Sequence, residues 1–376
     1  MRILHFLVQL PIEFTMKDTK SEIQKLNIPP IIISIFCVLI ILLFSDIISN
    51  SIISAINNCL NIIVPSLFPM FIISYYLLNS GFSDKTRKRL HKYLLRLFGL
   101  SGNCSEAVII GLTGGYNTAI KSAVKLSEDG KISKTEAKRL ALFFTCPGLS
   151  FCINVTGIAV YSNIKVGVQL FISNILTCVI FGFLYNLRNK NNNQYIEANT
   201  QKQSSPFVMS VASASSSIIS VCSWIILFSA AISGLSAVFG NIKILNTFFS
   251  LFGEISGAVI FASENFSFAI TAFCLNFGGF CIFLQQLPDI TALEIKPRNY
   301  LIIRLFQAAV CAGIQQLISF LFPIFVSVYS EPIRIKLFSS SAVGSFTLLL
   351  LSIVLIVSVR DNLTDKKPTQ YKRFLQ

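Results

Sequence analysis

Charge is scarce in this chain, and so is histidine. Asp, Glu, Lys and Arg make up 13% of its 376 residues, about half the share of an ordinary soluble domain. A water-soluble globular fold is therefore excluded. The two histidines, His5 and His91, fall in polar flanks, which leaves no imidazole for a metal site or for acid–base work at membrane depth. The ten cysteines (37, 59, 104, 146, 152, 178, 222, 274, 281 and 311) include no Cys-x-x-Cys pair, so neither a zinc site nor a thioredoxin-like couple is indicated. They lie in or beside apolar runs and read as reduced, small packing residues. His-Glu-x-x-His, Gly-x-Ser-x-Gly and P-loop patterns are absent too. With no nucleophile–base pair and no ligand set, the expectation is a protein that is not an enzyme and takes no cofactor.

Apolar residues are what the chain has in excess, at 53% with a mean hydropathy of +0.69. Its apolar runs far exceed the roughly 10-residue alternating strands of an outer-membrane barrel. The expected fold class is an all-α integral membrane protein. The net charge of +14 does not point to nucleic acid, because the Lys and Arg sit in short loops between apolar runs, where they set topology. The N-terminal run 3–10 is too short for a secretory signal and is followed by Pro11 and Glu13. Met16 is an alternative start, which would leave 1–15 outside the mature chain.

About 20 apolar residues are needed to cross the hydrocarbon. Stretches of that kind occupy 28–49, 59–80, 137–161, 164–187, 215–239, 266–287, 300–322 and 338–359. Two more, 97–120 and 245–263, are apolar but interrupted by glycine and polar residues. Each carries a Gly-xxx-Gly block, Gly111-Leu-Thr-Gly-Gly115 and Gly253-Glu-Ile-Ser-Gly257. Each is followed by a second glycine-bearing break, Cys146-Pro-Gly148 and Asn276-Phe-Gly-Gly279. Paired interruptions at matching places in two hydrophobic halves point to a binding site at the interface of two repeats.

Positive charge fixes the expected sidedness. Loops 81–96 and 121–139 and the tail 360–376 are strongly basic and are expected in the cytoplasm. The stretch 97–120 lies between the first two, so it enters and leaves on one side as a re-entrant hairpin. Threading the rest from a cytoplasmic N-terminus leaves only Lys165, Lys243, Arg334 and Lys336 outside, with Arg304 inside a span. The result is an inverted-topology repeat of span, re-entrant hairpin, span, span, plus two peripheral helices. It comprises a cytoplasmic N-terminal segment 1–27, a peripheral helix 28–49, a first repeat 59–187 and a polar cytoplasmic linker 188–207. A second repeat 208–323, a C-terminal helix 338–359 and a basic cytoplasmic tail 360–376 follow. The competing reading of both Gly-xxx-Gly blocks is plain helix–helix packing.

Site candidates follow from the interruptions. Thr113, Gly114, Gly115, Tyr116, Asn117 and Thr118 combine soft backbone with polar side chains at a hairpin tip, where half-helix ends offer unpaired amides and carbonyls to a polar solute. Glu254 is a carboxylate inside an apolar stretch, which is costly unless paired or wet. It reads either as a ligand for a proton, a cation or a solute hydroxyl, or as a structural hydrogen bond that fixes the hairpin. Pro147 and Gly148 free carbonyls at depth, which brings in Cys146 and Ser150, and the counterpart break brings in Asn276, Gly278 and Gly279. Arg304, one turn into its span, and Lys121 are expected to snorkel to the interface. Glu106, near the hairpin mouth, is a weaker candidate, and Trp224 reads as packing. Ser133-Lys-Thr-Glu136 is a capping box that starts the helix after a cytoplasmic connector.

At Val64-Pro-Ser-Leu-Phe-Pro-Met70, Gly111–Tyr116, Gly130–Leu140, Phe143–Phe151, Glu254-Ile255 and Phe277-Gly-Gly279, the chain resembles the Gate-domain (nucleoside recognition) membrane proteins, in particular the YlbJ-type sporulation integral membrane proteins. The resemblance covers about residues 30–325. It implies two Gate-like repeats, a core similar to concentrative nucleoside transporters, and a role in a spore-forming bacterium. The chain departs from the family pattern at Asn117, where proline is usual after Gly-Tyr. Thr145-Cys146 stands where the family has Asn-Asn, and Leu149 where it has proline. The expected function is a sporulation-associated, transporter-like protein of the bacterial cell membrane that moves a small polar solute such as a nucleoside. The alternative is a non-transporting protein that recruits or stabilises spore-envelope (cortex) machinery through its basic loops. Expected partners are the lipid bilayer, that solute and, as an open option, further copies of the chain in a homo-oligomer. Both termini are expected in the cytoplasm.

Overall fold

The computed structural model describes residues 28–80, 84–188, 205–240 and 242–324. The expected N-terminal segment, most of the linker 188–207, and the C-terminal helix and tail lie outside those residues. Among the described residues every regular element is helical. Lipid demands this, because each backbone N–H and C=O must find its partner without water. By internal contacts the chain falls into two units, the first ending at Ser45. In the first, α1 (Ile28–Leu43) has 16 residues with exposed apolar side chains such as Ile35 and Leu42. At 1.5 Å per residue it is about 24 Å long, shorter than the hydrocarbon.

In the second unit α2 (Ser45–Asn58) runs through a π-helical turn, Cys59–Ile63, into α3 (Val64–Ser80). Residues 50–58, expected as a loop between two spans, are helical because no Gly or Pro interrupts 45–63. Next come α4 (Asp84–Phe98), α5 (Ser105–Gly114), α6 (Tyr116–Glu128) and α7 (Lys134–Phe143). A non-helical break leads to a π-helical segment, Phe151–Val160, and then to α8 (Ile164–Arg188). The second half holds α9 (Pro206–Phe239), α10 (Lys243–Phe252), α11 (Ile255–Asn265), α12 (Phe268–Phe277), α13 (Gly279–Ala292) and α14 (Pro297–Leu321).

Among the described residues, five helical stretches are long and apolar enough to cross a membrane: Ser45–Ser80, Ile164–Leu187, Pro206–Phe239, Phe268–Ala292 and Pro297–Leu321. The chain is thus an all-helical, multi-pass membrane protein in contact with lipid. The expected span 137–161 is not one of the five, because α7 stops where Thr145, Cys146 and Pro147 lose helical geometry. The paired elements α5/α6 and α10/α11 have 10 to 13 residues each. At about 15–20 Å none of them crosses alone.

α3 packs along α9, and α14 packs on α12 and α8. Near one end of α9, Ser51 Oγ meets Ser229 Oγ at 2.8 Å, and near the other Asn79 Nδ2 donates to Ser210 Oγ at 2.9 Å. Lys125 Nζ donates to the Asn79 side-chain oxygen at 2.7 Å. Lys134 and Lys138 both reach Glu294, at 2.5 and 3.2 Å, and Asn186 Nδ2 donates to Arg96 O at 3.2 Å.

Candidate functional site

The first tip is set by Gly115, whose φ of +87° is open to glycine and strained for other residues. There α6 doubles back on α5: a Cβ placed on Gly111 would stand 2.8 Å from that of Ala119, eight residues on. The tip rests backbone to backbone on the break that follows α7. A Cβ on Gly115 would meet Gly148 N at 2.7 Å, and one on Gly148 would meet Gly115 N at 2.9 Å. In the second half, Gly253 and Glu254 separate α10 from α11, while Gly278 and Gly279, with φ of +81° and +77°, separate α12 from α13. A Cβ on Gly279 would lie 3.0 Å from Gly253 O, and the Cys281 amide donates to that same carbonyl at 3.0 Å. In both halves, then, glycine lets one interrupted helix pair sit directly on another.

One cavity touches both pairs. Gly114, Gly115, Tyr116, Asn117 and Gly148 line it from the first half. Glu254, Ile255, Cys281 and Gln285 line it from the second. It encloses about 540 Å³ with its open mouth included. The room it leaves for the centres of water molecules is about 50 Å³, several times the roughly 10–15 Å³ that one water needs.

Glu254 is 6% exposed and caps α11. Its two carboxylate oxygens accept from Ser256 N and Gly257 N, each at 2.8 Å. Charge-assisted bonds to orphan amides at a helix N-terminus offset part of the cost of burying the charge. The structural role expected for this residue is therefore present, and the side chain lines the cavity as well.

The other expected site residues divide. Tyr116 reaches the cavity with its ring, while its hydroxyl donates to Leu275 O, tying the first tip to α12. Asn117 lines the cavity and its side chain hydrogen-bonds to no other described residue. Thr113 and Thr118 turn inward instead. Thr113 Oγ1 pairs with Ser74 Oγ at 2.9 Å, and Thr118 Oγ1 donates to Gly115 O at 2.9 Å. Ser150 Oγ donates to Ser66 O at 2.6 Å, and Cys146 is wholly buried. Asn276 Nδ2 donates to Asn174 Oδ1 at 2.9 Å, and Gly278 and Gly279 shape the break behind the wall. Gln285, outside the expected set, belongs in it: with Cys281 and Ile282 it shares one face of α13, an i, i+4 relation readable in the sequence.

Arg304 corrects the expectation that it snorkels to the interface. It is 3% exposed and turned into the bundle. Its guanidinium donates to Thr145 O, Thr145 Oγ1 and Gln307 Oε1, and to Asn276 O. It also lies 5.5 Å from the centroid of the Tyr116 ring. The carbonyls freed at the two breaks thus find their donor in one planar fork, which a point-like ammonium does not reproduce.

Two further polar anchors hold the first hairpin. Arg87 and Glu106 form an ion pair at 3.2 Å, with side chains 2% and 1% exposed, so Glu106 serves α4 packing rather than the cavity. Glu136 closes the expected capping box with Ser133 and also accepts from Ser101 N at 2.7 Å. Burial pushes its carboxyl up, but hydrogen bonds from Ser133 and Ser101 outweigh that and hold it below the usual carboxylate range.

No family model matches the chain, and no solved structure matches it. Over 109 residues, 29% of its length, it is 26% identical to the sporulation integral membrane protein YlbJ of Bacillus subtilis (strain 168). That stretch covers 27% of the relative, so the chain spans about a quarter of the length of the protein it matches. The similarity is to an integral membrane protein, in keeping with the five apolar helices found here.

Proposed function

We propose that this protein is a transporter-like carrier of a small polar solute in a bacterial cell membrane, built as two oppositely inserted repeats. With α4, which has no counterpart in the second half, set aside, the order α3, α5/α6, broken α7 segment, α8 parallels α9, α10/α11, broken α12/α13 segment, α14, and this supports the repeat. The observation that carries the reading is the cavity walled by the interrupted helices of both halves. Such a site at a repeat interface needs only rocking of one repeat against the other to face each side in turn, and it needs no chemical step. The contacts of Lys134 and Lys138 with Glu294 and of Asn186 with Arg96 support a shared side for the loops they join, taken here as the cytoplasmic one. A role in spore formation is supported by the resemblance of the motifs and by the YlbJ similarity.

Uptake into proteoliposomes tests the reading. Glu254→Gln is expected to cut solute uptake at least tenfold, and an unchanged rate would remove the carboxylate from the mechanism. Cysteines placed at Lys121 and Arg89 should react from the same side of the membrane, and labelling from opposite sides would end the hairpin topology. The second reading, recruitment of spore-envelope machinery, draws on the Lys134 and Lys138 side chains, which are 47% and 33% exposed beside Glu294. If neutralising both abolishes sporulation while uptake persists, recruitment is the better description.

A further inference from the structure

We infer that the cavity takes a small organic cation, one ammonium group carried on a compact apolar body; the inference rests on the carrier reading above and narrows its solute. The wall is mostly apolar, with Phe71, Phe151, Ile225 and Ile282 beside the Tyr116 ring. Three polar side chains interrupt it: Asn117, Glu254 and Gln285. A polyhydroxylated solute would bury more hydroxyls than these groups can satisfy, at a cost of roughly 1–3 kcal/mol for each one left unpaired. A compact apolar body has no such cost, and its surface is better served by this wall than by water.

The charge on the wall has one sign. Glu254 is its only ionisable carboxylate or amine, and among the described residues it makes no ion pair. The buried guanidinium of Arg304 is committed to Thr145, Asn276 and Gln307. The carboxylate is satisfied by two amides on one side, but each oxygen has lone pairs left to accept further donors. Asn117 has no hydrogen-bonded partner among the described residues, and Gln285 uses its amide nitrogen on Ser220 Oγ at 3.1 Å. The carbonyl oxygens of both are therefore available to an ammonium that sits on Glu254. The aromatic side chains of Phe71 and Phe151 line the same space, and aromatic groups suit a cationic occupant.

A bare metal ion fits less well. Hard cations take six or more oxygen ligands, and no group of three His, Cys, Asp or Glu side chains stands together among the described residues. Space sets the scale. The room for the centres of water molecules, about 50 Å³, is that of a few waters, which holds the occupant to a compact one. Benzylammonium, a single small ring with one ammonium, serves as the probe.

The test uses the full chain in lipid nanodiscs and calorimetric titration with benzylammonium, benzyl alcohol and benzoate. Benzylammonium is expected to bind at least tenfold more tightly than benzyl alcohol, and benzoate not to bind. Glu254→Gln, which keeps one oxygen for the α11 amides, should remove that tenfold preference and leave the alcohol unchanged. Ile225→Trp, which fills the cavity and leaves the cap alone, should abolish binding of both. Should Glu254→Gln fail to fold, the amine–alcohol ratio in the native chain together with Ile225→Trp decides the matter. The inference is overturned if benzylammonium does not bind, if the alcohol binds equally well, or if Glu254→Gln keeps the preference. Flux separates this from the carrier reading. Glu254-dependent binding without movement across proteoliposomes leaves the cation site standing and removes transport. Movement of a neutral sugar that benzylammonium does not inhibit leaves transport standing and removes the cation.

Discussion

Replacing Arg304 tests how the two interrupted helices are held together. Arg304→Met keeps the apolar stem but removes the donors for Thr145 O and Asn276 O. Each stranded buried carbonyl costs about 1–3 kcal/mol, so the variant should lose about 2–6 kcal/mol, a large part of the stability of a typical fold. Arg304→Lys offers a single ammonium, which reaches one break but not both in the geometry of a fork, and should lose roughly half as much. Unfolding of purified protein by SDS in mixed micelles reads the energy. Cys146, beside Thr145 and wholly buried, reads the location, since its modification by maleimide can be followed by peptide mass spectrometry. Both substitutions should raise Cys146 labelling, Met more than Lys. If Arg304→Met unfolds at the native SDS fraction with Cys146 still protected, the guanidinium does not bridge the breaks.

Gly148→Ala should cost about 1–3 kcal/mol or prevent folding, because its new Cβ meets main-chain atoms of Thr113 and Gly115 at 2.9 Å. Gly313→Ala, with open space at the same position, should be neutral or stabilising by up to about 1 kcal/mol, and equal melting shifts in the two variants would contradict the packing described. Glu136 has its carboxyl held low in the folded state, so its contribution is complete above the ordinary value of 4.5 and is lost as pH falls from there through the folded value. The thermal midpoint should drop between pH 7 and pH 3.5, and Glu136→Gln should shrink that drop; an undiminished drop would refute the assignment. Glu106→Leu breaks the buried ion pair with Arg87 and should lower the melting temperature, whereas the double change Arg87→Met, Glu106→Leu should recover part of that loss, as a thermal-shift comparison of the three proteins would report.

The interrupted helices were legible because glycine and proline carry backbone information by themselves. Gly115 at positive φ and Pro147 in a break need no partner to be interpreted. Glu254 was legible as a group that must be satisfied, and both of its anticipated roles draw on the same two oxygens. The direction of the smaller side chains was not legible. Thr118 and Ser150 look alike in sequence to solute ligands, yet their hydroxyls return to main-chain carbonyls, since a membrane-embedded hydroxyl takes the nearest acceptor. The place of Arg304 is not legible for a related reason. Its acceptors are carbonyls 28 and 159 residues away in the chain, and a carbonyl leaves no signature in residue type. The helix that joins 45 to 80 is hard to see in the sequence because its polar stretch resembles a loop in composition, although nothing in it stops helical propagation.

The rod made of α2 and α3 and its neighbour α9 are joined near both ends like a bow and its string. From Ser51 to Asn79 the rod measures about 42 Å along its axis, while Ser210 to Ser229 on α9 measures about 28 Å. Side-chain hydrogen bonds join the two helices at those points, which a bend in the longer member accommodates. The extra residue of the Cys59–Ile63 turn and the prolines at 65 and 69 put that bend in its middle. Ser150 grips the bend at Ser66 O. The Ser150 bond joins that helix to the stretch between Thr145 and Ser150, and Arg304 joins the same stretch to Asn276 of the second half. One chain of polar contacts thus runs from α3 to α12 through the break.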